Sequence, residues 1–179
     1  LLILSSQIML ASISVGIFYG INKYFFSKKI SIFSSLLFSL FPINLYACSQ
    51  ISSVTLCIFL ALLFYYYFFK ITKNNNFFTI FIFAIAAGLL ILTRREFVGI
   101  LVLSVAYLYF FFKIPLKKIS LIILIALITI SPYLIRNYLI FDKIILQASF
   151  GYNLWKGNNP NAKVEGFAFM ENDLLLQRE

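Results

Sequence analysis

Six apolar runs, at 1–21, 30–46, 51–69, 77–93, 97–112 and 119–135, follow one another with only short polar connections between them. A helix needs roughly 17 to 25 apolar residues to cross the hydrocarbon core of a bilayer, and these runs reach or approach that length. Strand alternation is missing, which argues against a membrane barrel. Soluble domains keep about a quarter of their residues charged. This chain is 62% hydrophobic and 12% charged, too few charges to cover a water-facing surface. The fold class predicted is all-α: a polytopic transmembrane helical bundle of about six spans over 1–136, followed by an extracytoplasmic loop segment over 137–179. The fifth run is the shortest, so a tilt or an interfacial Tyr or Phe has to complete it.

The connections predict the orientation. Lys23, Lys28 and Lys29 follow the first run, Lys70 and Lys73 the third, and Lys113, Lys117 and Lys118 the fifth; these alternate connections hold eight Lys and no acid. Asn74, Asn75 and Asn76 make the second of them a polar turn. The connection around 44–50 has no charge at all. Positive charge close to span ends stays on the cytoplasmic side, so the Lys connections are expected inside and both ends of the helical region outside.

Thr93-Arg94-Arg95-Glu96 departs from that pattern, because it falls on the expected outer side. Arg94, Arg95 and Arg136 all stand at outer helix ends, whereas every Lys of the connections is inside. One reading is an ordinary polar turn, partly neutralised by Glu96. The other is an anion site: guanidinium forks bind phosphate in a bidentate way, and ionisable groups at membrane depth are functional candidates.

Catalytic chemistry finds few groups here. Residues 1–95 contain no Asp or Glu and the chain has no His, although general acid–base work draws mostly on those side chains. No Ser-His-Asp set or Gly-rich phosphate loop is present. Without His, and with acids so scarce, no zinc or copper ligand set can be assembled, and no cofactor is expected. Cys48 and Cys57 make no disulfide framework and read as small apolar helix residues. A proton- or cation-coupled transporter would place acids within its spans, so their scarcity counts against that class. The chain opens on Leu1 inside an apolar run and closes at Glu179 in a charged stretch, which reads as an internal piece of a longer protein.

After Asn137 the character changes. The tail holds Asp142, Glu165, Glu171, Asp173 and Glu179, five of the six acids. Gly157-Asn158-Asn159-Pro160-Asn161 reads as a turn or loop. Tyr152 and Trp155 suit an interfacial aromatic belt or, alternatively, a stacking surface for a sugar ring. Pro42 and Pro132 are expected to kink or end the second and sixth helices.

Ser131-Pro132-Tyr133-Leu134-Ile135-Arg136-Asn137-Tyr138, then Gly151-Tyr152-Asn153-Leu154-Trp155-Lys156-Gly157-Asn158-Asn159-Pro160, resembles a recurring stretch of bacterial GT-C glycosyltransferases. These membrane enzymes are related to protein O-mannosyltransferases and to the lipid A aminoarabinose transferase. Gly88-Leu89-Leu90-Ile91-Leu92-Thr93-Arg94-Arg95-Glu96 is similar to that group's Gly-Leu-x-x-Leu-Thr-Arg-Pro-Glu, with Arg95 where proline is usual. Leu40-Phe41-Pro42 followed by Ser52-Ser53-Val54-Thr55-Leu56 is a weaker likeness, with Val54 where many members carry Glu.

The resemblance implies a glycosyltransferase that moves a sugar from a polyprenyl-phosphate-linked donor, with inversion, to an acceptor on the periplasmic face of a bacterial inner membrane. The partners implied are the lipid bilayer, that donor, and an envelope acceptor that is a glycan, lipid or protein; no nucleic acid is expected. The six helices would be the second to seventh, so the catalytic carboxylate would lie upstream of Leu1. Arg94 and Arg136 would grip the donor phosphate. Glu96, Asn137, Tyr152, Asn153, Trp155, Asn158 and Asn159 would help to shape a sugar or acceptor pocket. The rival expectation is a non-enzymatic multi-span protein such as a transporter or lipid-carrier flippase.

Overall fold

The computed structural model describes residues 2–50, 52–146, 155, 157 and 158. The chain divides into two compact units, Leu1–Ile144 and Ile145–Glu179. Seven helices make up the first: α1 (Leu2–Asn22), α2 (Lys28–Leu40), α3 (Pro42–Ser49), α4 (Val54–Lys73), α5 (Phe77–Thr93), α6 (Phe97–Phe110) and α7 (Leu116–Phe141). Together they form an all-helical membrane bundle, with no strand among the described residues.

Helix α5 is the centre of the bundle, packed against α4 on one side and α7 on the other. Its small residues explain how. Ala84, Ala86, Ala87 and Gly88 are all buried, and in lipid it is small residues that let helix backbones approach closely. At Gly88 an added Cβ would stand 2.7 Å from Thr129 Cβ and 3.1 Å from the Ala126 carbonyl oxygen. Toward α4 the packing is aromatic, with the Phe64 and Phe83 ring centroids 4.7 Å apart. Leu60, Ile71, Ile80, Leu90, Leu108 and Ile122 complete this apolar core.

The other half of the bundle is built differently. Among its described residues α1 fully buries only Gln7, Ser14 and Asn22, and α2 only Ser31 and Ser35. Polar groups in lipid join helices through hydrogen bonds. Gln7 Nε2 donates to the Ser52 carbonyl oxygen at 2.7 Å, and Asn22 Nδ2 to Ser34 Oγ at 3.3 Å. Stacked Phe18 and Phe38, 4.6 Å apart, add an apolar contact between α1 and α2.

The three Lys-bearing connections gather at one end. Lys73 Nζ lies 4.5 Å from the Tyr24 ring centroid. Lys118 Nζ donates to the Asn75 backbone and side-chain oxygens at 2.8 and 2.7 Å. Asn74–Asn76 form the polar turn expected of them, and Asn76 caps α5 by accepting from the Thr79 N–H at 2.9 Å.

The expectation of about six spans is not met. Three helices, α1, α4 and α7, are long and apolar enough to cross a bilayer, and α2 with α3 makes a fourth if a pair bent by 48° counts as one span. Helices α5 and α6 have 17 and 14 residues. At 1.5 Å per residue they rise only about 25 and 21 Å, short of the roughly 30 Å hydrocarbon core. The two prolines also behave unlike each other. Pro42 opens α3 and ends α2 before it, whereas Pro132 sits inside a continuous α7.

Candidate functional site

The end of the bundle opposite the lysines holds the arginines. Helix α5 stops at Thr93, whose hydroxyl turns back to donate to the Leu90 carbonyl at 2.7 Å. Arg94 then leaves the helix in an extended conformation while its N–H still bonds Leu90 O at 2.9 Å. The Phe97 and Val98 amides bond the Arg94 and Arg95 carbonyls at 3.2 and 3.0 Å, which turns the chain directly into α6. Arg95 therefore occupies the proline position of the related motif inside a hydrogen-bonded turn. Glu96 stands at the N-cap of α6, where a negative charge meets the positive end of the helix dipole. Arg94 and Glu96 are both exposed.

Arg136 comes from α7. That helix runs on to Phe141, so Arg136 and Asn137 lie in its last two turns, beyond the end of the apolar run at 135. The Arg136 side chain is exposed, and its Nη1 donates to Asn137 Oδ1 at 3.2 Å. Asn137 is only 4% exposed; it reaches the buried side of α7 while orienting a guanidinium on the open side.

Helices α5 and α7 both run away from the lysine end, and they touch at Gly88 and Thr129. Arg94 lies six residues past Gly88 and Arg136 seven past Thr129, rises of about 9 and 10.5 Å. The two arginines thus sit at nearly the same height at one end of neighbouring helices. Of the remaining candidates, Trp155 and Asn158 are exposed residues of the second unit. Gly157 and Asn158 are helical there, where the sequence suggested a turn; glycine tolerates a helix at a cost of about 1 kcal/mol. Tyr152, Asn153 and Asn159 lie outside the described residues.

A feature that sequence reasoning missed lies where α2 breaks into α3. A cavity of about 250 Å³ opens there between α1, α2, α3 and α4, with Ser12, Ser14, Asn44 and Thr55 among its lining residues. The Ser12, Ser14 and Thr55 hydroxyls donate to the Ile8, Leu10 and Ala47 carbonyls. The cavity is thereby left with apolar walls and lone-pair acceptors. Of the buried polar residues of α1, Ser14 lines this cavity, whereas Gln7 and Asn22 bond Ser52 and Ser34. Among the described residues no three of His, Cys, Asp and Glu come together as a metal-ligand group.

Apolar helices of bilayer length, packed through small residues and tipped with arginine at one end, define an integral membrane protein of the helical-bundle class. The chain belongs to the dolichyl-phosphate-mannose-protein mannosyltransferase family, whose model matches residues 2–135. It is thus a membrane glycosyltransferase of the GT-C type, as the resemblance of its motifs implied. No curated protein and no solved structure matches the chain.

Proposed function

We propose that the protein transfers a sugar from a polyprenyl-phosphate-linked donor to an acceptor on the outer face of a bacterial inner membrane, with Arg94 and Arg136 holding the donor phosphate. The observation that carries this reading is the placement of two exposed arginines at matching heights on the packed helices α5 and α7. The family supports it, since its description names a lipid-phosphate-linked mannose and a transfer reaction.

In such a transfer the bond between the anomeric carbon and the phosphate oxygen breaks, and the lipid phosphate gains negative charge as it leaves. The acceptor hydroxyl attacks the opposite face of the anomeric carbon and loses its proton to a carboxylate. Residues 1–95 hold no carboxylate, so that base lies outside them. Two guanidinium groups already positioned for the leaving phosphate stabilise charge that grows in the transition state, the kind of electrostatic contribution that often dominates a barrier. Asn137 serves by orienting Arg136. Glu96, beside Arg94 in the turn, contributes to the sugar or acceptor side.

The test is transfer from labelled polyprenyl-phosphate mannose in membranes carrying the full-length protein. Arg136→Ala and Arg94→Ala are each expected to lower kcat/KM by about a hundredfold, with Arg136→Lys recovering part of the loss because it restores charge without the planar fork. Wild-type transfer by both alanine variants at equal protein levels would remove the two arginines from the site.

A further inference from the structure

We propose that the lysine end of α1 and α4 is a binding site for an anionic phospholipid of the bilayer leaflet that surrounds it. Two ammonium groups, those of Lys70 and Lys73, lie over one array of tyrosine rings, and a third, that of Lys23, lies over the ring of Tyr19 on α1. Lys73 lies 4.5 Å from the Tyr24 centroid, Lys70 lies 5.3 Å from that of Tyr67, and Lys23 lies 5.7 Å from that of Tyr19. Tyr66 joins the array edge-on, 6.2 Å from Tyr24 and 5.4 Å from Tyr67. A flexible Lys held over a ring has less freedom to lose when it meets an anion, and its remaining N–H donors stay available.

The charge of this end is unbalanced. The only acids among the described residues are Glu96 and Asp142, and both stand at helix ends remote from the lysine connections. Burial, and secondarily Tyr66, pushes the Tyr24 hydroxyl above the ordinary tyrosine range, so that side chain remains a neutral donor. Beside it Phe25 and Phe26 are 59% and 54% exposed, and Phe25 packs on Phe69 with centroids 4.9 Å apart. The surface therefore pairs a cationic, donor-rich patch with an exposed apolar shoulder. Free phosphate would use only the first part. A diacyl phospholipid uses both, with its phosphodiester on the lysines and an acyl chain along the phenylalanines, the arrangement of basic lipid sites between membrane helices.

Native mass spectrometry of the full-length protein, titrated with phosphatidylglycerol and separately with phosphatidylcholine, reads the site directly. The wild-type protein is expected to retain phosphatidylglycerol preferentially. The triple variant Lys23→Gln/Lys70→Gln/Lys73→Gln should bind it at least about tenfold more weakly, and the equally discharged Lys28→Gln/Lys29→Gln/Lys117→Gln should keep it. Tyr24→Leu preserves every charge and should still weaken binding severalfold, which guards against altered insertion of the triple variant. Equal retention of both lipids, or equal loss in the two triple variants, would overturn the proposal. Displacement of the lipid by millimolar inorganic phosphate would overturn it too, by showing a plain phosphate site.

Discussion

Gly88 shows how one absent side chain fixes the distance between two helices. The nearest atoms to an added Cβ are Thr129 Cβ at 2.7 Å and Thr129 Cγ2 at 2.9 Å. These belong to a β-branched residue with little rotamer freedom in a helix, so nothing can swing aside. Gly88→Ala is expected to destabilise the protein by roughly 1–3 kcal/mol, as overpacking does in tight interiors, read as a lower Tm in detergent. Gly16, with nothing within 4 Å of its built Cβ, supplies the control, and Gly16→Ala should leave Tm unchanged or slightly higher. Gln7 illustrates the opposite burden. It is 7% exposed, and its Oε1 is buried without a hydrogen-bond partner among the described atoms.

Among the elements, α7 explains how a membrane helix carries a proline. Pro132 has no N–H for the carbonyl of Ile128, one turn earlier, and the Ser131 hydroxyl donates to that oxygen instead at 2.9 Å. A freed carbonyl facing lipid needs such a substitute. Ser131→Ala should therefore cost about 1 kcal/mol in the native protein and clearly less in a Pro132→Ala background, where the backbone bond is restored. A double-mutant cycle on thermal unfolding measures the difference, and additivity of the two changes would refute the account. At the other proline the orphaned carbonyl, that of Phe38, is also given substitute donors, but the helix breaks. Before Pro42 the chain takes an extended conformation at Phe41, as residues preceding proline prefer, and α2 and α3 meet at 48°. The Asn44 side chain and the Phe41 N–H both donate to the Phe38 carbonyl, at 3.0 and 3.4 Å, which stabilises the break.

At the scale of the whole helical unit, the two kinds of basic residue separate except for Lys143, which follows α7. The Lys connections share one end, and Arg94 and Arg136 stand at the other. The orientation proposed for the transferase puts the lysines in the cytoplasm. In a Cys48→Ser/Cys57→Ser background, Glu96→Cys should then react with a membrane-impermeant maleimide on intact spheroplasts, while Lys28→Cys should react only after lysis. The reverse pattern would place the arginines on the cytoplasmic side and refute transfer on the outer face.

Much of this was legible in the chain because lipid imposes one-dimensional rules. Apolar length, Lys-bearing connections and the Gly88–Glu96 and Ser131–Asn137 motifs depend on local sequence, and they led to the helical membrane class and to the family. The span count was not legible, because apolar runs alone do not show that the helices α5 and α6 stop short of a full hydrocarbon thickness. Nor did run-by-run reading reveal that α1 turns Gln7, Ser14 and Asn22 inward; that depends on which helix stands beside it. The sequence by itself determined that the chain enters the membrane and which residues carry charge, since solvation acts on each segment separately. Only the tertiary structure decided which helix became the core, that a cavity lies beside the α2–α3 break, and that Arg94 and Arg136 reach nearly the same height, since these follow from close packing between segments far apart in the chain.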